Sequence, residues 1–390
     1  MTTKAVGLQI PFHRADLGEE EVHAVSEVIR SGWLTMGAKT FEFERQFANY
    51  VGASHAVAVS SCTAALHLAL EAVGVRRGDE VLVPTTTFTA TAEVVTYLGA
   101  RPVFVDIDRR TLNIDPRDIE RRITAHTRAI IPVHFAGTPC DMKEIMEIAA
   151  RHKLHVVEDA AHALPSDYMG KRVGTISEVT AFSFYATKTL TTGEGGMITT
   201  ENEEYARRLQ VMRLHGIGRD AWKRYGAEGS WYYEVLEAGF KYNLTDLQAA
   251  LGLAQLAKCD GMNVARERIA GRYTKAFRSL EALEVPAISL DRTTSWHLYV
   301  LRLNLDQLRI DRSRFIRELA DRGVSTSVHF IPLHLQPVYQ RDYHYKAGDL
   351  PAAEREYERS LSLPIYSAMR DEEIEHVIWA VSDVVSSCSR

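Results

Sequence analysis

Lys188 lies in the stretch FSFYATKTLTTGEGG, residues 182–196, directly after a strand-like apolar run and before Gly193, Gly195 and Gly196. Small and hydroxyl-bearing neighbours suit a lysine that sheds its charge and forms a bond, because burial disfavours the ammonium and its flexible stem is readily neutralised. The glycines let backbone pass close to a bound group. Taken alone, Lys188 also reads as a solvated loop lysine.

Other strand-like runs end in residues of equal interest. After HAVAV comes Ser60-Ser61-Cys62-Thr63-Ala64-Ala65, opening a helical pattern. Hydroxyls, free backbone N–H groups and the positive end of a helix dipole make an anion site there, although the same residues serve as a helix cap. After LHVV come Glu158 and Asp159, then Ala160-Ala161-His162. A carboxylate beside residues too small to block access holds a cation in a crevice, or caps the next helix. Phe88, after EVLVP, offers an aromatic face for stacking or is simply core.

Ligands of a parallel sheet sit outside the carboxyl ends of its strands, so these ends can share one site. An anion cradle, a carboxylate for a ring cation and an imine-forming lysine are together what pyridoxal 5′-phosphate requires. The lysine would hold the aldehyde as a Schiff base, and Asp159 would keep the pyridine nitrogen protonated so that the ring acts as an electron sink. Opposite charges about 4 Å apart at an effective dielectric near 20 attract by roughly 4 kcal/mol, enough to raise a pyridine pKa by a few units.

The elements that must position these residues follow a repeated grammar. Short apolar runs alternate with helical patterns: HAVAV with TAALHLALEAVG, EVLVP with TATAEVVTYLG, PVFVDID with DPRDIERRI, AIIPVHF with DMKEIMEIAARH, then LHVVEDAA and finally VTAFSF. Continuous β-branched runs separated by helices predict a mostly parallel sheet in an α/β domain. Two helices precede it, roughly Glu19 to Ile29, stopping at Gly32, and Phe41 to Tyr50. Beyond about Thr245 the pattern shifts to helices at TDLQAALGLAQLAK and from Asn263 to Leu283. A strand in WHLYVLRL, a helix from Arg312 to Arg322, a strand STSVHF and two closing helical segments follow. A boundary near residue 256 divides a large domain, residues 1–256, from a smaller α+β domain, residues 257–390. In WHLYVLRL, Leu298 and Val300 share one face and Tyr299, Leu301 and Leu303 the other, with alternation too weak to say which is buried.

Composition excludes several classes. A formal net charge of −5 with dispersed basic residues argues against nucleic acid or an anionic membrane as partner. With no apolar stretch of membrane-spanning length and no leader pattern at MTTKAVGLQIPFHR, the expected location is cytoplasmic. Cys62, Cys140, Cys259 and Cys388 are scattered without a CxxC pair, so neither disulfides nor a zinc site is expected.

With these residues assembled, the chain resembles the DegT/DnrJ/StrS family of pyridoxal-phosphate sugar aminotransferases, which have the type I aspartate-aminotransferase fold. The resemblance runs through SGWLTMG, FEFERQFANYVG, SSCTAALHLAL, GDEVLVPTTTFTATA, RAIIPVHFAG, VVEDAAHA, FSFYATKTLTTGEGG, GFKYNLTDLQAALGLAQL and HFIPLHLQPVY, in order. It implies Lys188 as the Schiff-base residue, Asp159 at the pyridine nitrogen and Phe88 stacked on the ring. Thr63, Ala64 and Ser183 would then hold the phosphate and His162 the ring hydroxyl. Asn243 would be lent across a homodimer interface to the partner's phosphate. Lys241 and His329 fall at positions near the sugar nucleotide, although His329 also reads as an ordinary strand histidine. Family members that act as 3-dehydratases carry histidine where this chain has Lys188, so the lysine favours transamination.

The resemblance also implies glutamate as donor, released as 2-oxoglutarate, and a keto nucleotide sugar as acceptor. Members aminating carbon 3 tend to read N-x-R-L-D where this chain has Lys241-Tyr242-Asn243-Leu244-Thr245. That spelling is more like the 4-amino group, including the enzyme making 4-amino-4-deoxy-arabinose on a uridine nucleotide. The alternatives are a 3-keto sugar aminotransferase and a non-catalytic regulatory protein on the same scaffold. Arg213 and Arg219 are near in sequence, but neither is identified as the donor-carboxylate ligand. GIGRDA, residues 216–221, follows a helical pattern and lacks the βαβ context of a dinucleotide site. His329 and His334 lack the spacing and carboxylates of a metal set.

Overall fold

The computed structural model describes residues 8–218 and 233–390. Helices α1 (Glu19–Ser31) and α2 (Ala38–Val51) lead into the sheet. Gly32 ends α1 at φ 75°, a left-handed stop that glycine adopts without steric cost. The Asp246 carboxylate accepts backbone N–H bonds from Gly37, Lys39 and Thr40 at 2.7, 3.1 and 2.9 Å, binding the start of α2 to a distant part of the chain.

The expected alternation then appears: β1 (His55–Val59), α3 (Cys62–Ala72), β2 (Glu80–Pro84), α4 (Ala90–Tyr97), β3 (Arg101–Val105), α5 (Pro116–Arg122), β4 (Thr127–Ile130), α6 (Met142–His152) and β5 (His155–Asp159). A small hairpin, β6 (Asp167–Tyr168) and β7 (Lys171–Arg172), precedes β8 (Val179–Ser183), β9 (Gly196–Thr200) and α7 (Glu203–Met212). The seven-stranded sheet has the order β1-β9-β8-β5-β4-β2-β3. It is parallel from β8 to β3, while β9 runs antiparallel to both β1 and β8. The apolar runs of the sequence end at VTAFSF, and the strand GMITT of β9 lies beyond them. Its polar Thr199 and Thr200 are nevertheless buried, their hydroxyls donating to the carbonyls of Gly174 and Glu178 at 2.9 and 2.7 Å.

The remainder comprises α8 (Asp246–Ala257), α9 (Cys259–Phe277), β10 (Leu283–Glu284), β11 (Tyr299–Leu303), α10 (Arg312–Asp321), α11 (Pro337–Tyr343), α12 (Pro351–Arg359), β12 (Ser360–Leu363) and α13 (Asp371–Cys388). β10, β11 and β12 form an antiparallel sheet. Both faces of β11 are buried, which is why its alternation was uninformative. Tyr299, Leu301 and Leu303 enter a core with α9 and α13, and Leu298 and Val300 enter another with Ile107 and Phe135. We propose that the domain boundary falls at the α8–α9 junction, with the segment around Ile10 packing into the second body beside Val324.

STSVHF does not form the expected strand. It is extended, but only Ser327 bridges to Ser362 of β12. The chain leaves the small sheet there and carries His329 and Phe330 to a cavity against the large one. Among the described residues no helix is long and apolar enough to cross a membrane.

Candidate active site

A cavity of about 530 Å³ opens at the carboxyl ends of the parallel strands. Its lining unites the stretches singled out from sequence: Ser61 to Thr63, Phe88, Asp159, His162, Ser183 and Lys188, together with His329.

Lys188 is carried by the β8–β9 loop, which folds on the buried Phe184: Phe184 donates its N–H to Gly195 at 2.9 Å and accepts from Thr192 N at 3.0 Å. The Lys188 amine is half-buried and makes no hydrogen bond or ion pair with a described residue. Burial lowers its pKa to about 8, against the pull of Cys62 and Asp159 toward the charged form. At pH 7 about one amine in ten is then neutral, against about one in three thousand for an ordinary lysine. Because the depressed group is deprotonated in the folded state while still protonated in the unfolded chain, stability should rise with pH between about 8 and 10.5 in cofactor-free protein. Acylation of Lys188 followed by mass spectrometry is expected to show a midpoint near 8; a midpoint near that of surface lysines would refute the shift.

Asp159 ends β5 and is 5% exposed. Thr91 Oγ1 donates to Oδ2 at 2.9 Å and Ala161 N to Oδ1 at 3.1 Å, so both oxygens are oriented by neutral donors. Burial raises the carboxyl pKa above its ordinary value; the Ala161 and Thr91 donors and the Lys188 charge offset this only in part. His162 has a buried Nδ1 with no hydrogen-bond partner. Burial first, then Lys188 and His329, drive its pKa well below the usual value, so the imidazole is neutral. Its ring lies 4.3 Å from that of His297 and is stacked at 6.2 Å with Phe330.

At the start of α3, Ser61 Oγ accepts the Ala64 N–H at 3.1 Å, so Ser61 caps the helix. Thr63 lines the cavity, whereas Ala64 is buried behind it. Ser183 lines it from the end of β8. Gly196 joins the two halves: a Cβ there would stand 2.6 Å from both the carbonyl carbon and oxygen of Ser61 and 2.8 Å from Cys62 N. Gly196→Ala therefore pushes backbone against backbone. It is expected to cost about 1–3 kcal/mol in urea unfolding and to weaken cofactor retention together with it.

Phe88 is 60% exposed and faces the cavity, its ring 6.2 Å from that of Phe330, so it is not core. His329 Nδ1 meets Ser362 Oγ at 2.9 Å, and burial followed by the Lys188 charge lowers its pKa to about 4. Lys241 and Asn243 are not brought to the cavity of their own chain. They bond to each other through Nζ and Oδ1, and Asn243 Nδ2 donates to Leu244 O at 3.2 Å. Arg213 is buried against Glu44 and the Ala58 carbonyl, which removes it as a donor-carboxylate ligand. Arg219 lies outside the described residues.

Sequence reading missed Thr91, His297 and Phe330. Thr91 carried a signal: Thr87 and Thr91 are four apart across a helix start, and their hydroxyls meet at 2.8 Å. His297 and Phe330 had none, since each belongs to a segment whose path only the tertiary structure shows.

These residues fit pyridoxal phosphate. A buried carboxylate paired only with neutral donors suits a ring cation, an unpartnered neutral imidazole suits a ring hydroxyl, and an unpaired amine of lowered pKa suits an aldehyde. The sheet and its site thus define a pyridoxal-phosphate-dependent enzyme of the aminotransferase fold. More narrowly, the chain belongs to the DegT/DnrJ/EryC1/StrS aminotransferase family, whose sequence profile matches residues 15–382. It is 50% identical over 377 residues to the spore coat polysaccharide biosynthesis protein SpsC of Bacillus subtilis, covering 96% of this chain and 97% of that one. Spr1654 of Streptococcus pneumoniae, solved in PLP and PMP forms, superposes with TM-score 0.91 at 34% identity; its PMP form covers 97% of this chain and 98% of its own. Helicobacter pylori PseC, an aminotransferase involved in pseudoaminic acid biosynthesis, superposes with TM-score 0.91 at 28% identity, covering 97% of this chain and all of its own.

Proposed function

We propose that this protein transfers the amino group of glutamate to a 4-keto nucleotide sugar, releasing 2-oxoglutarate and a 4-amino sugar destined for a surface polysaccharide. The observation that carries the reading is the unpaired, half-buried Lys188 amine in one cavity with the buried carboxylate of Asp159. The sugar class is supported by the family, by SpsC and PseC, and at carbon 4 by the spelling of residues 241–245.

Bound pyridoxal phosphate supplies an aldehyde that exchanges amines and a ring that withdraws electrons from the reacting carbon. Lys188 Nζ would bind the aldehyde between turnovers and, as a free amine, would take the proton lost from the donor's α-carbon. In the second half-reaction the same atom delivers a proton to the sugar carbon receiving the amine. Thr63, Ser183 and the N–H groups opening α3 bind the phosphate, with Ala64 shaping the turn behind them. Asp159 would pair with the ring nitrogen, Phe88 would stack on the ring and His162 would offer a neutral imidazole to the ring hydroxyl. His329 would take the sugar nucleotide, and Lys241, which lies outside its own cavity, would meet it only from a partner subunit. The neutral imidazoles suit hydroxyl recognition, since they donate and accept without adding charge.

We propose further that the working unit is a homodimer, in which Asn243 reaches the partner's phosphate site. Its position outside its own cavity supports this, as does the Ser60 N–H bond to Tyr242 O at 2.7 Å, which holds the segment beside the α3 start.

The test mixes pure protein with glutamate, follows conversion to the pyridoxamine form, and then offers 4-keto and 3-keto nucleotide sugars. Discharge by 4-keto sugars with an amino-sugar product by mass spectrometry is expected. Preference for 3-keto sugars would move the amination site, and no response to glutamate would remove the donor.

A further inference from the structure

His334 is completely buried, with Thr85 on one side of its ring and Glu354 of α12 on the other. Its Nε2 is 2.9 Å from Glu354 Oε1 and its Nδ1 2.8 Å from Thr85 Oγ1. Its own backbone N–H donates to Thr85 Oγ1 at 3.2 Å, and Leu333 N donates to Thr85 O at 2.8 Å. With the carboxylate accepting from Nε2–H, the threonine hydroxyl is placed to donate to Nδ1, and both ring nitrogens have partners. Engaging both nitrogens of a buried ring holds one geometry, because each partial alternative strands a polar group.

Two things hang from this clamp. On one side Thr85 directly follows β2 and begins the turn Thr85-Thr86-Thr87-Phe88. Thr87 Oγ1 meets Thr91 Oγ1 at 2.8 Å, and Thr91 Oγ1 donates to Asp159 Oδ2 at 2.9 Å. On the other side, His334 fixes the segment that five residues earlier places His329 and Phe330 on the cavity wall. The hydrogen bonds from the α12 carboxylate end at Thr85; from there the backbone leads in two residues to Thr87, whose hydroxyl meets Thr91, the α4 residue that donates to Asp159.

We infer that His334, held by Glu354 and bonded to Thr85, is a positioning residue for the reaction. It sets the aim of the Asp159 carboxylate and the placement of the His329–Phe330 wall at once. It touches neither cofactor nor substrate; its effect passes through Thr91 and through the wall. This rests on the assignment of Asp159 to the ring nitrogen.

The decisive variant is Thr85→Val, which keeps the shape and removes the hydroxyl alone, with Thr85→Ser as the conservative rescue. In the holoenzyme, Thr85→Val is expected to lower kcat by about tenfold with little change in donor KM, as misplacement of reacting groups does. It should also move the pH midpoint of the bound cofactor's visible band, while Thr85→Ser restores both. In cofactor-free protein, ring-nitrogen NMR of labelled histidine should show His334 protonated at Nε2 with an accepting Nδ1, and Thr85→Val should lose the Nδ1 signature. Unchanged kcat and pH midpoint in Thr85→Val, or a loss of melting temperature alone, would overturn the inference. His334→Asn is the harsher variant, and its failure to fold leaves the threonine pair as the deciding measurement. Should Asp159→Asn prove silent, the reading of the site fails; should it act while Thr85→Val is silent, only the clamp fails.

Discussion

Lys188→Ala is expected to lower transamination by about 10⁴-fold or more, because in the proposed reaction one atom would both hold the aldehyde and move the proton. Proton transfer by a positioned group alone contributes up to about 10⁴, and loss of the covalent anchor adds to it. The variant should still take up cofactor, since the α3 start, Asp159 and Phe88 remain, but borohydride should no longer fix it to the chain. In the parent, the reduced adduct should appear at Lys188 by peptide mass spectrometry. A parental rate in the variant, or an adduct at another lysine, would refute the assignment. Lys188→Arg is expected to be nearly as inactive, because a guanidinium does not give up its proton near neutral pH.

Asp159→Asn is expected to reduce turnover by about 10³-fold, from loss of a charge pair of roughly 4 kcal/mol at about 4 Å in a dielectric near 20. The sign of its effect on stability depends on whether cofactor is bound. Without a cation, burial raises the carboxyl pKa above 3.8, so the folded chain binds that proton more tightly than the unfolded chain. Its contribution to stability therefore declines as pH climbs from the ordinary aspartate range through the raised value, and at pH 7 the unpaired carboxylate is a net cost. Cofactor-free Asp159→Asn should melt no lower than the parent at pH 7, and the difference should vanish in acid. With a ring cation in place the carboxylate becomes the stabilising partner, and the holo variant should melt lower than the holo parent. Calorimetry of both forms across pH measures the reversal; the same sign in both forms would refute it.

Much of this was legible in the chain because parallel strands write themselves as unbroken apolar runs, and the residue after each run marks the site. Lys188, Asp159, Thr63, Ser183 and Phe88 were found that way and line one cavity. β9 was illegible because its threonines satisfy their hydroxyls internally, and a polar strand looks like a loop until those partners are known. STSVHF misled in the opposite sense: β-branched and aromatic residues predict pairing, but here the segment is extended to deliver side chains. Thr91, His297 and His334 act through partners 68, 135 and 249 residues away in the chain, respectively Asp159, His162 and Thr85, and no local periodicity encodes such pairings.

The antiparallel return of β9 has an evolutionary reading. By bringing Gly196 against Ser61 and Cys62, it makes the anion grip and the lysine loop neighbours across a seam too narrow for a methyl group. Drift is confined there, because a change on one bank must be answered on the other. Phe12, His329 and Phe330 reach the same cavity from segments outside that seam, so those positions can be rewritten without disturbing it.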